Sequence, residues 1–209
     1  MALQMVHLLV ARQWAQAYDA YMDCPEFYLG AISPDAIHIR DGNDKSRKDE
    51  FHLYNWREPH VKNVLEYWRE HHTPFDIGYG VHVLTDAQWV PRFRQRLPQL
   101  IKADGRLDTT TYYNDTYVTD FELYRDCGGC ELFDRLERAC APENHPLLTT
   151  AEFDAWRQDM LSMYRGECPK NDPVKYITRA YVEAFVEDAQ GMLCEVYERH
   201  LNENGKGGE

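Results

Sequence analysis

The chain has 209 residues, 44% of them hydrophobic and 13% aromatic, which is enough apolar mass for one globular domain and excludes disordered and collagen-like classes. It carries 23 basic and 35 acidic residues, a formal −12, and residues 115–209 hold 20 of the acidic groups against 10 basic ones, so the charge opposes nucleic-acid binding. No apolar run approaches the roughly 20 residues of a membrane-spanning helix.

The first helix is expected over residues 3–21, with Val6, Leu9 and Val10 on one side and Trp14 near them, and Cys24-Pro25 stops it. Residues 31–53 are dense in Pro, Asp, Gly and Asn without a hydrophobic period, which reads as a long loop with short helical turns. Val61, Val64, Leu65 and Trp68 follow helical spacing after Pro59. A further helix is expected over 75–89, continuing past Pro91 to Ile101 with a kink, and another over 114–136, capped by Asn114 or Asp115. Thr149 or Thr150 caps a helix reaching Tyr164. Asp172-Pro173 reads as the opening of a last helix, with Val174, Ile177, Tyr181, Phe185, Met192, Val196 and Leu201 along one face. The expectation is an all-α, bundle-like single domain over 1–201 with a large loop excursion near its N-terminus, and a frayed tail at 202–209.

The six cysteines read as reduced thiols, because a chain this rich in core residues needs no staples. Cys127-Gly-Gly-Cys130 lacks the second pair of a zinc site and reads as a glycine turn between helices. With no basic cluster leading into a long apolar stretch at Met1–His7, a cytoplasmic location is expected.

The chemistry falls to histidines and aspartates. His82 and Asp86 are four apart on a predicted helix among Val81, Val83 and Leu84, so both side chains share one buried face. A buried aspartate needs a cation or a full set of hydrogen bonds, so the pair is either two ligands of one metal or a hydrogen-bonded core pair. Asp35 follows Gly30-Ala-Ile-Ser-Pro34, then come Arg40, Lys45, Arg47 and Lys48, then Phe51-His52. That stretch is either a solvated charge run or two ligands, Asp35 and His52, bracketing cations able to hold a phosphate. His7 sits among Val6, Leu8 and Leu9, where a histidine is unusual and is either a satisfied core group or a ligand.

Taken together, a histidine in an N-terminal helix, Gly-x-x-x-Pro-Asp, Phe-His after a basic stretch, and Gly-Tyr-x-x-His-x-x-x-Asp resemble the zinc-dependent phospholipase C family in its broad sense, including bacterial members, over roughly residues 5–125. The resemblance implies an all-α fold of the phospholipase C and single-strand nuclease type, with zinc at the mouth of a helical bundle. It also implies hydrolysis of phosphodiester bonds. Residue by residue, it implies one zinc on Asp35, His52, His82 and Asp86, with Asp86 bridging to a second zinc on His7. One or two zinc ions are expected, and the His/Asp set also suits manganese or iron. The family's third zinc uses two later histidines in a His-x-x-x-Glu context, which His145 and His200 do not provide. Asp115 and Asp120 are the candidate replacements, and their alternatives are a helix N-cap and an exposed helix carboxylate.

The function expected is a metal-dependent phosphoesterase acting on a small phosphate ester, with Asp35 orienting or deprotonating the attacking water and Arg40 and Lys48 neutralising the phosphate. The alternatives are a nucleotide phosphohydrolase, and a non-catalytic metal-binding or interaction domain with a degenerate site. The family's amino-terminal zinc ligand is a departure, since Met1 lies six residues before His7.

Overall fold

The computed structural model describes residues 3–42, 44, 46–54, 60–168 and 172–205. The expected amino-terminal departure, Lys45 and the helix-opening Pro59 lie outside them. The fold is all-α. Among the described residues the only strand-like pairing is an isolated bridge between Ile101 and Leu107. No helix of these residues is long and apolar enough to cross a membrane.

Helix α1 (Gln4–Ala15) is buried along most of its length, and its apolar run ends at a turn before α2 (Asp19–Met22), so the expected 3–21 helix is two pieces. Pro25 opens α3 (Pro25–Gly30), which leads into a 3-10 turn at Ser33–Ala36 and then α4 (Ile37–Asp41). Helix α5 (Lys48–Phe51) completes the excursion read as a loop. Helix α6 (His60–Glu70) buries Val64, Leu65 and Trp68 as their spacing requires.

The central element is α7 (Pro74–Arg96), which packs against α1, α3, α6 and α11 (Arg179–Gly205). Thr73 and Asp76 form a capping box at its start, a signal overlooked in the sequence. It runs through Pro91 and stops at Arg96, before a 3-10 turn at Pro98–Leu100. Asp76 also accepts a 2.8 Å bond from the Tyr67 hydroxyl, which lies 2.8 Å from Nε2 of His145. The Leu147 amide donates to Nδ1 of His145, so Nε2 carries the proton and donates to Tyr67. His145 is thus a core hydrogen-bonding group.

Two glycines set how α7 meets α3. A Cβ on Gly30 would lie 2.0 Å from the Phe75 carbonyl oxygen, and one on Gly78 would lie 2.0 Å from that of Phe27. Only hydrogen fits at either crossing point, so the two backbones touch. Their contact lets Nδ1 of His82 reach the Ala31 carbonyl at 2.8 Å.

Helix α8 (Thr109–Asp126) begins five residues before the expected cap at Asn114. It is separated from α9 (Gly129–Arg138) by Gly128 in the left-handed region, φ +79°. The continuous 114–136 helix is therefore replaced by two helices with a glycine turn at the CxxC. All six cysteines are free thiols. Helix α10 (Thr150–Arg165) starts behind a capping box of Thr149 and Glu152. Helix α11 starts at Arg179 instead of Asp172. The amides of Lys175, Tyr176 and Ile177 are taken by the Asp115 carboxylate, and the Thr119 hydroxyl takes the Ile177 carbonyl. Those tertiary bonds override the Asp-Pro signal, and the Thr178 hydroxyl accepts the Tyr181 amide as the cap. The buried stripe of α11 is accordingly Val182, Phe185, Val186, Ala189, Leu193, Val196 and Tyr197, while Leu201, expected on it, is exposed. The helix continues through Gly205, past the expected start of fraying at 202.

Candidate metal centre

Five of the expected ligands converge from four elements. His7 comes from α1, Asp35 from the 3-10 turn, His52 from the residue after α5, and His82 and Asp86 from successive turns of α7. His7 and His82 are fully buried, and Asp35 and His52 nearly so. Ligand atoms of His7, Asp35 and His82 lie within 4.8 Å of one another, as do those of His52, His82 and Asp86, and either group can hold a metal ion. His82 belongs to both. His7 groups with Asp35 and His82, and its Nε2 also lies 3.6 Å from Asp86, its expected partner at a second ion.

The ring geometry is close. His7 and His82 stack with centroids 3.7 Å apart and planes 5° from parallel, and His52 meets the edge of His82 at 5.2 Å. Asp86 places Oδ1 3.6 Å from Nε2 of His7 and Oδ2 3.7 Å from Nε2 of His52. One carboxylate therefore faces two imidazoles with separate oxygens, an arrangement suited to bridging two cations. Asp35 accepts from Gln4 Nε2 at 3.1 Å through Oδ2, and its Oδ1 lies 3.0 Å from Lys48 Nζ and 3.3 Å from His52 Nε2.

Backbone carbonyls decide the imidazole tautomers. A carbonyl only accepts, so Nδ1 of His82 carries its proton toward Ala31, and Nδ1 of His52 carries its proton toward the Lys48 carbonyl at 3.1 Å. The His82 ring, neutral through burial, leaves a lone pair on Nε2 within the cluster, and the neutral form of His52 does the same. Nε2 of His7, His52 and His82 has no hydrogen-bond partner among the described residues. Buried imidazole nitrogens normally find a donor or acceptor. A backbone bond at Nδ1 with a bare Nε2 is the usual arrangement of a metal-ligating histidine, and His52 and His82 have it, while both ring nitrogens of His7 are bare among the described residues. The orphaned nitrogens and the two carboxylates fit a divalent cation by donor type.

Electrostatics point the same way. Burial pulls the His7 imidazole down to about 4 and His82 well below its ordinary value, so both are neutral at pH 7. Burial alone would raise the two carboxyls. The Lys48 ammonium, with His52 and His82, outweighs it at Asp35 and holds that group well below the usual range. At Asp86, His7 is the largest of the charges that outweigh burial, and the value is about 2. Among the described residues, the Asp35 and Asp86 carboxylates thus lie buried beside the Lys48 ammonium.

The centre opens on a cleft of about 480 Å³, with His52 and Asp86 in its wall. Lys48, Asp49, Tyr54 and His60 line it together with the apolar Val83, Val90 and Pro91. Asp86 is the most exposed of the five, with 13% of its side chain accessible. Sequence reasoning missed His60, whose ring stacks on Tyr54 at 4.8 Å, and it missed Gln4. Gln4 was legible in principle, one helical turn before His7 on α1.

Three expected site residues lie elsewhere. Arg40 is doubly bonded to Glu152 at 2.5 and 2.7 Å and is absent from the cleft wall, so its guanidinium is committed to joining α4 to α10. Asp115 is neither a ligand nor an N-cap, because its carboxylate is filled by three amides of the segment before α11. Asp120 is buried, not exposed. It accepts from the Met5 amide and the Tyr164 hydroxyl, and burial raises it to about 7. Three amides fill the Asp115 carboxylate, whereas at Asp120 both bonds fall on Oδ2 and Oδ1 is left bare, and neither residue belongs to a metal-capable group among the described residues.

No family model matches the chain, and no curated protein or solved structure matches it.

Proposed function

We propose that the chain is a metal-dependent phosphoesterase, hydrolysing a phosphodiester with zinc held by His7, Asp35, His52, His82 and Asp86, and that it is related to the zinc-dependent phospholipase C family. The observation carrying this reading is the set of three buried, unpartnered imidazole nitrogens beside two carboxylates at a cleft. Bound zinc supplies a Lewis acid for the phosphoryl oxygens and lowers the pKa of water to about 7, and manganese or iron suits the same donors. The Ala31 and Lys48 carbonyls hold His82 and His52 in the ligating tautomer. Asp35 has one oxygen on Gln4 and the other on Lys48, so it serves as an anchored ligand. Asp86 fronts the cleft and is the better-placed group to orient a water and take its proton. Val83, Val90 and Pro91 form an apolar wall for the ester group.

The Lys48–Asp35 ion pair favours a second reading, a non-catalytic polar cluster that closes on itself. Metal analysis and hydrolysis of bis(p-nitrophenyl) phosphate and p-nitrophenyl phosphate after reloading with zinc, manganese or iron separate the two. The proposal expects at least one equivalent of metal and metal-dependent diester cleavage. Less than a tenth of an equivalent under all three metals would sink it. Bound metal without hydrolysis of either ester would leave the non-catalytic reading.

A further inference from the structure

Lys48 enters the centre twice. Its carbonyl fixes the His52 tautomer, while its ammonium lies 3.0 Å from Oδ1 of Asp35. Its side chain is largely buried, 14% accessible, yet Lys48 also forms part of the cleft wall with His52 and Asp86. A divalent ion held by His7, Asp35 and His82 brings a second positive charge to the carboxylate that the ammonium already occupies. In a buried place two cations beside one carboxylate repel strongly. A lysine stem is flexible and its head a compact point charge, so it can leave Asp35 without backbone movement.

We infer that Lys48 is an exchangeable counter-cation, which competes with the metal for Asp35 and, once displaced into the cleft, pairs with the anionic phosphate group of the substrate. The inference rests on the metal reading of the cluster. It gives one side chain two opposite effects, weakening metal binding and strengthening anion binding. A permanent structural ion pair would do only the first, and a plain phosphate-binding lysine would do only the second.

The test measures zinc affinity of the full chain by competition with a chromogenic chelator, and orthophosphate affinity of the zinc-loaded protein by calorimetry. Lys48→Met is expected to bind zinc about tenfold tighter than the parent, and Lys48→Arg, which keeps the charge, within about twofold of it. Loaded Lys48→Met is expected to bind orthophosphate about tenfold more weakly. Zinc affinity in Lys48→Met equal to or below the parent's overturns the competition, and unchanged phosphate affinity overturns the displaced role. Removal of the ammonium leaves Asp35 buried without its partner, so the variant can be poorly folded before zinc is added. In that event the zinc-induced rise in melting temperature is the readout, expected to be larger in Lys48→Met, and an equal rise overturns the inference. A parent chain that binds no zinc overturns the metal reading itself, which separates the two failures.

Discussion

At the scale of single residues, His82 is the common member of both ligand groups. Loss of His7 leaves His52, His82 and Asp86, and loss of Asp86 leaves His7, Asp35 and His82. His82→Ala breaks both groups, so its zinc content per folded molecule is expected to fall below that of His7→Ala and Asp86→Ala. Metal analysis of gel-filtered protein checks this, and equal losses in all three would count against a shared ligand set. Asp115→Ala serves as the contrast. It strands three amides, of which the buried one at Ile177 costs about 1–3 kcal/mol when left unpaired. Its stability should fall while its zinc content stays at the parent value.

At the scale of elements, the contact of α3 with α7 carries the centre. A methyl on Gly78 would meet the Phe27 carbonyl and push the helices apart, moving His82 off Ala31. Overpacking of this kind costs about 1–3 kcal/mol. Gly191 is also helical, on the exposed side of α11, with nothing within 4 Å of an added Cβ. Alanine there removes glycine's entropic cost, about 0.5–1 kcal/mol. Thermal unfolding should therefore order the chains as Gly191→Ala above the parent and Gly78→Ala below it, and a Gly78→Ala chain as stable as the parent would refute the close-approach argument.

At the scale of the whole molecule, buried titratable groups set the response to acid. His7 and His145 are both lowered to about 4 by burial, against about 6.5 in the unfolded chain. The stability that their neutral burial supplies is present above pH 6.5 and lost as pH falls through 4. For His7 the shift corresponds to roughly 3 kcal/mol. Asp120 acts in the opposite sense. Its value is raised to about 7, so its contribution is full below the unfolded value near 3.8 and is lost as pH rises through 7. The histidines outnumber it, and chelator-treated protein should lose stability between pH 6.5 and 4 in denaturant titrations. Asp120→Asn should steepen that loss by removing the opposing term, and a flat profile in both chains would contradict the burial of these groups.

Local pattern determined the helical class, the Val64–Leu65–Trp68 stripe and a threonine cap at 149 or 150, because helical spacing and capping residues are properties of neighbouring positions, whereas the five candidate ligands were named by the resemblance. Spacing also put His82 and Asp86 on one face. It did not reveal which ligands group together, since Asp35 and His52 reach the site from separate short turns whose placement depends on α7. Tertiary structure alone decided the fates of Arg40, Asp115 and Asp120. Each is engaged by a partner at least 44 positions away, and a carboxylate's role depends on which donors reach it. The same holds for the start of α11, where a capping signal at Asp172 yields to the grip of Asp115 on the following amides. Local propensity is worth about a kilocalorie per mole, and three charge-assisted bonds from a distant helix exceed it.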